Sequence, residues 1–237
     1  MKYRLNAFRK GVSFDEPSHT YYYKNRTMTS VTTAVGNCFP RFDRGGNISV
    51  DLAEKKGISV KELKAQWRRK GELGTIVHNL LDMTANGVEF LAPGGLTEEE
   101  SAWVLGNWMQ GKEFLAEGIK VLYTEFPVYN GEYSIAGTCD MLAYEDGKIA
   151  IWDWKTNDTI MDERVAFGKY GFRGLAHIPD TNFWHYALQL SIYRYCFEKA
   201  GFECGKLRLV HLTPEGRKVI ELPYLSDEAR FVMEDNL

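Results

Sequence analysis

The chain has 237 residues, 44% hydrophobic and 26% charged, which are globular values for one large domain or two small ones. A net charge of −3 and a pI near 6.0 exclude a protein that coats nucleic acid through bulk charge. They leave room for a local basic groove beside an acidic site, because the two signs cancel in the total. No apolar run approaches a membrane span, and Met1–Lys10 carries no apolar signal core, so a cytoplasmic protein is expected. Cys38, Cys139, Cys196 and Cys204 form neither a CxxC pair nor a zinc spacing and read as reduced, buried thiols.

Residues 1–35 look strand-rich. The run from Tyr21 to Thr32 reads as a hairpin turning near Lys24-Asn25, followed by a helix opening between Ser30 and Thr33. Pro40 to Asn47 is rich in Pro, Gly, Asp and Arg and reads as a loop. Residues 49–87 look helical, with Ser59 and Glu62 in capping-box spacing. Lys64 to Lys70 is the densest basic cluster, a solvated face or a phosphate-binding patch. Gly71 and Gly74 interrupt the helical pattern, which resumes at Thr75 and ends at Asn86-Gly87. A loop over Ala92–Leu96 precedes a helix from Glu98 to Glu117, capped by Thr97 with acidic residues in its first turn.

Three strands are expected over 119–129, 133–145 and 148–156. Asn157 to Asn182 is a long irregular segment, and loops of that length in compact domains usually carry function or are mobile. Residues 183–200 read as a helix, 206–213 and 217–223 as a hairpin around Glu215-Gly216, and Ser226 as the cap of a short last helix. Neither a repeat nor a clear linker appears, so a single domain over 1–237 is expected, with a strand and helix elaboration over 1–70.

The chemistry gathers around Asp140, Asp153 and Lys155. Asp146-Gly147 is a strong type I′ hairpin signal, because both central residues of that turn need φ > 0. With these two as the turn, Asp140 and Asp153 are equidistant from it and face each other across an antiparallel pair. Lys155 shares the face of Asp153. A one-residue bulge would instead put the two carboxylates on opposite faces. Like charges set opposite each other destabilise a sheet, and a divalent cation between them removes that penalty. Asp153 and Lys155 follow the apolar run Ile149-Ala150-Ile151-Trp152, which looks buried on both faces, and buried charges need partners. Two carboxylates on adjacent strands suit Mg²⁺ or Mn²⁺. A lysine beside them can orient or deprotonate a water and stabilise charge at phosphorus.

Four short patterns occur in order: Gly74-x₃-His78, Gly137-Thr-Cys-Asp140, Asp153-Trp-Lys155 and Gln189-x₃-Tyr193. With the run Thr124 to Tyr129, they resemble the PD-(D/E)xK nucleases, specifically the RecB-like exonuclease branch. The resemblance covers roughly residues 20–213, and the segment Tyr21 to Thr33 is similar to phage and mitochondrial single-strand DNA exonucleases. It implies an α/β fold with a restriction-endonuclease-like core: a mixed central sheet with an antiparallel core hairpin, flanked by helices. It implies metal ligation of one or two Mg²⁺ or Mn²⁺ ions by His78, Asp140, Asp153 and the Trp154 carbonyl, with Lys155 as the catalytic lysine. Gln189 and Tyr193 would contact the DNA backbone or brace the site, and Glu125 would lie near it. Lys169, Tyr170, Phe172 and Arg173 suit single-stranded DNA, since rings stack on bases and cations track the backbone. Several relatives hold an iron–sulfur cluster on four cysteines. Only Cys196 and Cys204 lie downstream here, without a closely spaced pair, so no cluster is expected. The expected activity is exonucleolytic hydrolysis of DNA in recombination, repair or replication, by analogy in a phage setting. The alternatives are a catalytically silent DNA-end-binding partner and a structure-selective endonuclease of the same fold.

Overall fold

The computed structural model describes residues 1–15, 18, 20–43, 46–89, 94–160 and 168–236. Helix α1 (Lys2–Arg9) is followed by strands β1 (Val12–Asp15), β2 (Thr20–Tyr23) and β3 (Arg26–Ser30). Helices α2 (Val31–Asn37), α3 (Asn47–Lys56), α4 (Val60–Ala85) and α5 (Glu98–Leu115) come next. Strands β4 (Val121–Asn130), β5 (Ile135–Glu145) and β6 (Lys148–Lys155) form the centre. Helix α6 (Asn182–Lys199), strands β7 (Cys204–Thr213) and β8 (Gly216–Leu222), and helix α7 (Ser226–Asp235) complete an α/β fold.

The sheet is mixed. Strands β5 and β6 pair antiparallel from Met141↔Trp152 to Glu145↔Lys148, the register expected from the turn. Asp146 (φ 47°) and Gly147 (φ 84°) both adopt the left-handed conformation that a type I′ turn needs. Strand β6 then runs parallel to β7, which pairs antiparallel with β8. Strand β4 lines one edge of β5 along its length. The other edge is shared: β3 runs parallel to it at Ile135 and Ala136, and β6 takes it from Met141 onward. Gly137 to Asp140 lie in the interval between them, where, among the described residues, that edge has no strand partner. This opening in the sheet positions the site.

Alternation along β6 builds two cores, because successive side chains point to opposite faces. Ile149 and Ile151 pack with Leu207 and Leu209 against α2, α6 and α7. Ala150, Trp152 and Trp154 pack with Met141, Val210 and Leu212 against Leu73, Val77 and Leu81 of α4 and Val104 and Phe114 of α5. Helices therefore cover both faces of β6, as its unbroken apolar run requires.

Several local expectations meet their elements. The hairpin turns at Lys24 (φ 49°) and Asn25 (φ 62°), and Ser30 caps α2 by accepting a hydrogen bond from Thr33 N. Ser59 with Glu62, and Thr97 with Glu100, form reciprocal capping boxes. Four differences are physical. Residues 2–9 form a helix, because Leu5 and Phe8 reach the core together one turn apart, Phe8 lying against Phe126, Tyr129 and Phe197. Helix α4 runs unbroken through Gly71 and Gly74, since its apolar face is held against the sheet and α5 and overrides the glycine penalty. Helix α7 starts at Ser226 itself, with Leu225 in the cap position and no side-chain cap. The irregular segment after β6 contains a 3-10 turn at Arg173–Leu175, while its residues 161–167 lie outside the described residues, as do 92–93 of the loop before α5. Among the described residues no helix is long and apolar enough to cross a membrane.

Candidate active site

Helix α4 brings His78 over the opening in the sheet. It can come close because position 74 is glycine: a Cβ there would stand 2.9 Å from Thr156 Oγ1, at the end of β6. The helix is also tied to β4, with Asp82 accepting a hydrogen bond from Thr124 Oγ1 and Asn86 Nδ2 donating to the same oxygen at 2.8 Å. One residue on, Glu125 interrupts the ladder. Pairing of β4 with β5 steps from Thr124↔Met141 to Phe126↔Cys139 and passes over Glu125 and Asp140. Glu125 takes φ 45°, a left-handed conformation that costs a non-glycine residue about 1–3 kcal/mol and recurs at functional sites.

The result is a convergence. One ligand atom each from His78, Glu125 and Asp140 lies within 4.8 Å of the others. His78 Nδ1 is 3.3 Å from Asp140 Oδ2, and Trp154 N donates to that same oxygen at 2.8 Å. All four residues line a cavity of about 560 Å³, with Lys155 and Tyr186. Lys155 Nζ forms an ion pair with Asp153 Oδ2 and sits 4.3 Å from the centre of the Tyr186 ring.

Electrostatics divide these groups. Burial pushes Asp153 up, and the charge of Asp140 adds to it against Lys155, so its carboxyl titrates at about 6. Asp140 is also enclosed, though it lines the cavity, yet His78, Lys155 and the Trp154 N–H outweigh its burial and hold it below the ordinary carboxylate value. Burial disfavours charge on His78, but Asp140 more than offsets this and raises its pKa. Lys155 is likewise penalised by burial and held up to about 12 by Asp153 and Asp140. Glu125 reaches solvent at the mouth of the cavity. The protein around it and the Asp140 charge nonetheless push it up to about 8. Strongly perturbed carboxylates of this kind cluster at functional sites, as well as in structural ion-pair networks.

Of the residues singled out in the sequence, His78, Asp140, Trp154 and Lys155 line the cavity together. Asp153 stands behind them, 3% exposed on its side chain and engaged by Lys155, outside the three-residue convergence. Glu125, expected only nearby, supplies the third ligand atom. Trp154 contributes its N–H to Asp140. Gln189 (9% exposed) and Tyr193 (2%) are buried and bonded to each other, Nε2 donating to the phenol oxygen at 3.1 Å. Tyr193 packs on Gly137, where a Cβ would lie 2.7 Å from its ring. Of the two expected roles, this geometry suits bracing, since neither side chain is free to meet DNA. Arg173 forms an ion pair with Asp235 of α7, and neither it nor Lys169 lines the cavity. The sequence reading passed over Tyr186 and Asp82. Asp82 carried a signal, standing one helical turn beyond His78.

No family model matches the chain, and no curated protein matches it. One solved structure, described as the crystal structure of SSO0001, aligns over 99% of this chain and 84% of its own, at 17% identity and a TM-score of 0.43. A likeness of that size carries no argument about fold or function.

Proposed function

We propose that this protein is a Mg²⁺- or Mn²⁺-dependent nuclease that hydrolyses DNA phosphodiesters from the ends of single strands. The observation that supports this reading is the meeting of His78, Glu125 and Asp140 within 4.8 Å at the same cavity as a charged lysine. One imidazole and two carboxylates are a donor set for a hard or borderline divalent ion, and Asp153 adds a third carboxylate close behind. These residues would hold the ion. When bound, it supplies Lewis-acid polarisation of the phosphoryl group.

The chain's own groups do the rest. Lys155 keeps its proton, so it acts as a donor that orients the attacking water and faces the charge gathering on phosphorus. Asp153 holds that ammonium in place through their ion pair, and the Tyr186 ring adds a cation–π contact. Trp154 N and His78 fix the orientation of the Asp140 carboxylate. A cytoplasmic location fits four free, buried cysteines, and recombination or replication proteins are the class of partner such an activity would serve.

End-labelled linear single-stranded DNA, incubated with Mg²⁺, Mn²⁺ or EDTA beside a closed circular control, tests the reading. Metal-dependent loss of the linear DNA alone is expected, abolished in Lys155→Ala and Asp140→Ala, with DNA binding retained in Lys155→Ala. Cutting of the circle would turn the reading to an endonuclease. Binding without cleavage would turn it to a silent end-binding partner. Full activity in either variant would sink the mechanism.

A further inference from the structure

Helix α4 leads out of the cavity. Trp67, Lys70, Gly71, Gly74 and His78 all line it, so a single face of the helix runs from the candidate metal ligand to Trp67. At 1.5 Å per residue that path is roughly 16 Å long. It ends at an exposed aromatic pair. Phe42, in the loop before α3, is 72% exposed and meets Trp67, itself 36% exposed, with ring centroids 5.8 Å apart and planes at 66°. Burial does not account for a ring left that open, and this pair stands on the rim of a polar cavity. Lys64, Arg68 and Arg41 are exposed on the neighbouring positions of the same two segments.

Between the rings and the ligands the helix presents Gly71 and Gly74 to the cavity, beside Lys70, which pairs with Asp158. A Cβ at Gly71 would meet nothing within 4 Å. A glycine inside a helix is less stable than alanine, and among the described residues no contact requires it at Gly71. It leaves open space on the cavity wall beside Lys70, between Trp67 and His78.

We infer that Phe42 and Trp67 form a stacking platform for an unpaired base, so that single-stranded nucleic acid passes over Gly71 to the cluster of His78, Glu125 and Asp140. This rests on the nuclease reading and adds the residues that select single strands. A duplex keeps its bases stacked inside, whereas an unpaired base offers its face to an aromatic ring, a contact worth about 1–3 kcal/mol.

The test measures binding in EDTA, where no cleavage occurs, by anisotropy of a labelled single-stranded oligodeoxynucleotide, the same strand made of abasic sites, and a matched duplex. Phe42→Ala and Trp67→Ala should each weaken single-strand binding between about fivefold and a hundredfold. Both should leave binding of the abasic strand unchanged, and binding of Mn²⁺, measured separately by calorimetry without EDTA, unchanged as well. Gly71→Leu should weaken the normal and the abasic strand alike, because it obstructs the path. Wild-type affinity in both aromatic variants, or equal losses for normal and abasic strands, overturns the platform. If the wild type cuts single strands while these variants bind normally, the platform fails and the nuclease reading stands. If the wild type neither binds nor cuts any of the three, both fall.

Discussion

Asp153→Asn should stabilise the protein in EDTA while ending the proposed cleavage. The carboxyl is enclosed, faces the charge of Asp140, and titrates at about 6 instead of 3.8. A folded-state pKa above the unfolded one means that the folded protein holds the proton more tightly. Stability from this group is therefore complete below pH 3.8 and is lost as pH rises through 6. Keeping the carboxylate ionised above that point costs up to about 3 kcal/mol. Asparagine has nearly the shape of the protonated acid and no proton to lose. The variant should match the wild type near pH 4 and exceed it by up to about 3 kcal/mol at pH 8, a rise in Tm of roughly 6–12 °C for a chain of this size. Thermal unfolding followed by circular dichroism in EDTA, at both pH values, measures this directly. Equal or lower stability of Asp153→Asn at pH 8 would refute the reasoning. So would the same gain at both pH values, which would point to packing and not to charge.

Glu125, pushed up to about 8, is mostly protonated at neutral pH, so a cation that takes it as a ligand must displace that proton. Titration calorimetry of Mn²⁺ at pH 7, in buffers of different ionisation enthalpy, should report proton release from Glu125 and His78 together, smaller by most of one proton in Glu125→Gln and fading above pH ~9. No release from the wild type would remove Glu125 from the ligand set. Gly137→Ala drives a methyl group into the Tyr193 ring and should cost about 1–3 kcal/mol in chemical denaturation, part of it regained when Tyr193→Leu is added. Additive losses in the double variant would show that the two positions do not bear on each other. Burial raises the thiols of Cys139, Cys196 and Cys204 well above their usual values. They should resist thiol reagents until the chain is unfolded, and fast labelling of the native protein would contradict their burial.

Much of the centre was legible because it is local. Asp146-Gly147 names its own turn, and the turn sets the register of Met141 against Trp152 with no help from the rest of the chain. The run Ile149 to Trp154 declares a strand covered on both faces, and Ser59 with Glu62 declares a helix start. The same local register could mark Asp140, Asp153 and Lys155, whereas His78 was marked only through the family resemblance.

Tertiary structure decided the rest, and in each case a long-range approach did the deciding. The register suggested that Asp140 and Asp153 would act as a pair. The ladder itself stops just short of them, the Trp154 N–H donates to the Asp140 carboxylate, and the tertiary fold sets the Asp140 charge against the buried Asp153. Glu125 joins Asp140 through a left-handed residue inside a strand, for which no propensity argues. Gly74 looked like a helix breaker until Thr156 stood against it. Gln189 and Tyr193 have spacing that would serve DNA or the core equally well, and only the packing of α6 on Gly137 settles which way they point. Sequence carries the turns, caps and periodicities, because those are energies of neighbours along the chain. A site is made of distances between residues far apart in it, and these exist only once the sheet has opened between β3 and β6 and α4 has closed over the gap.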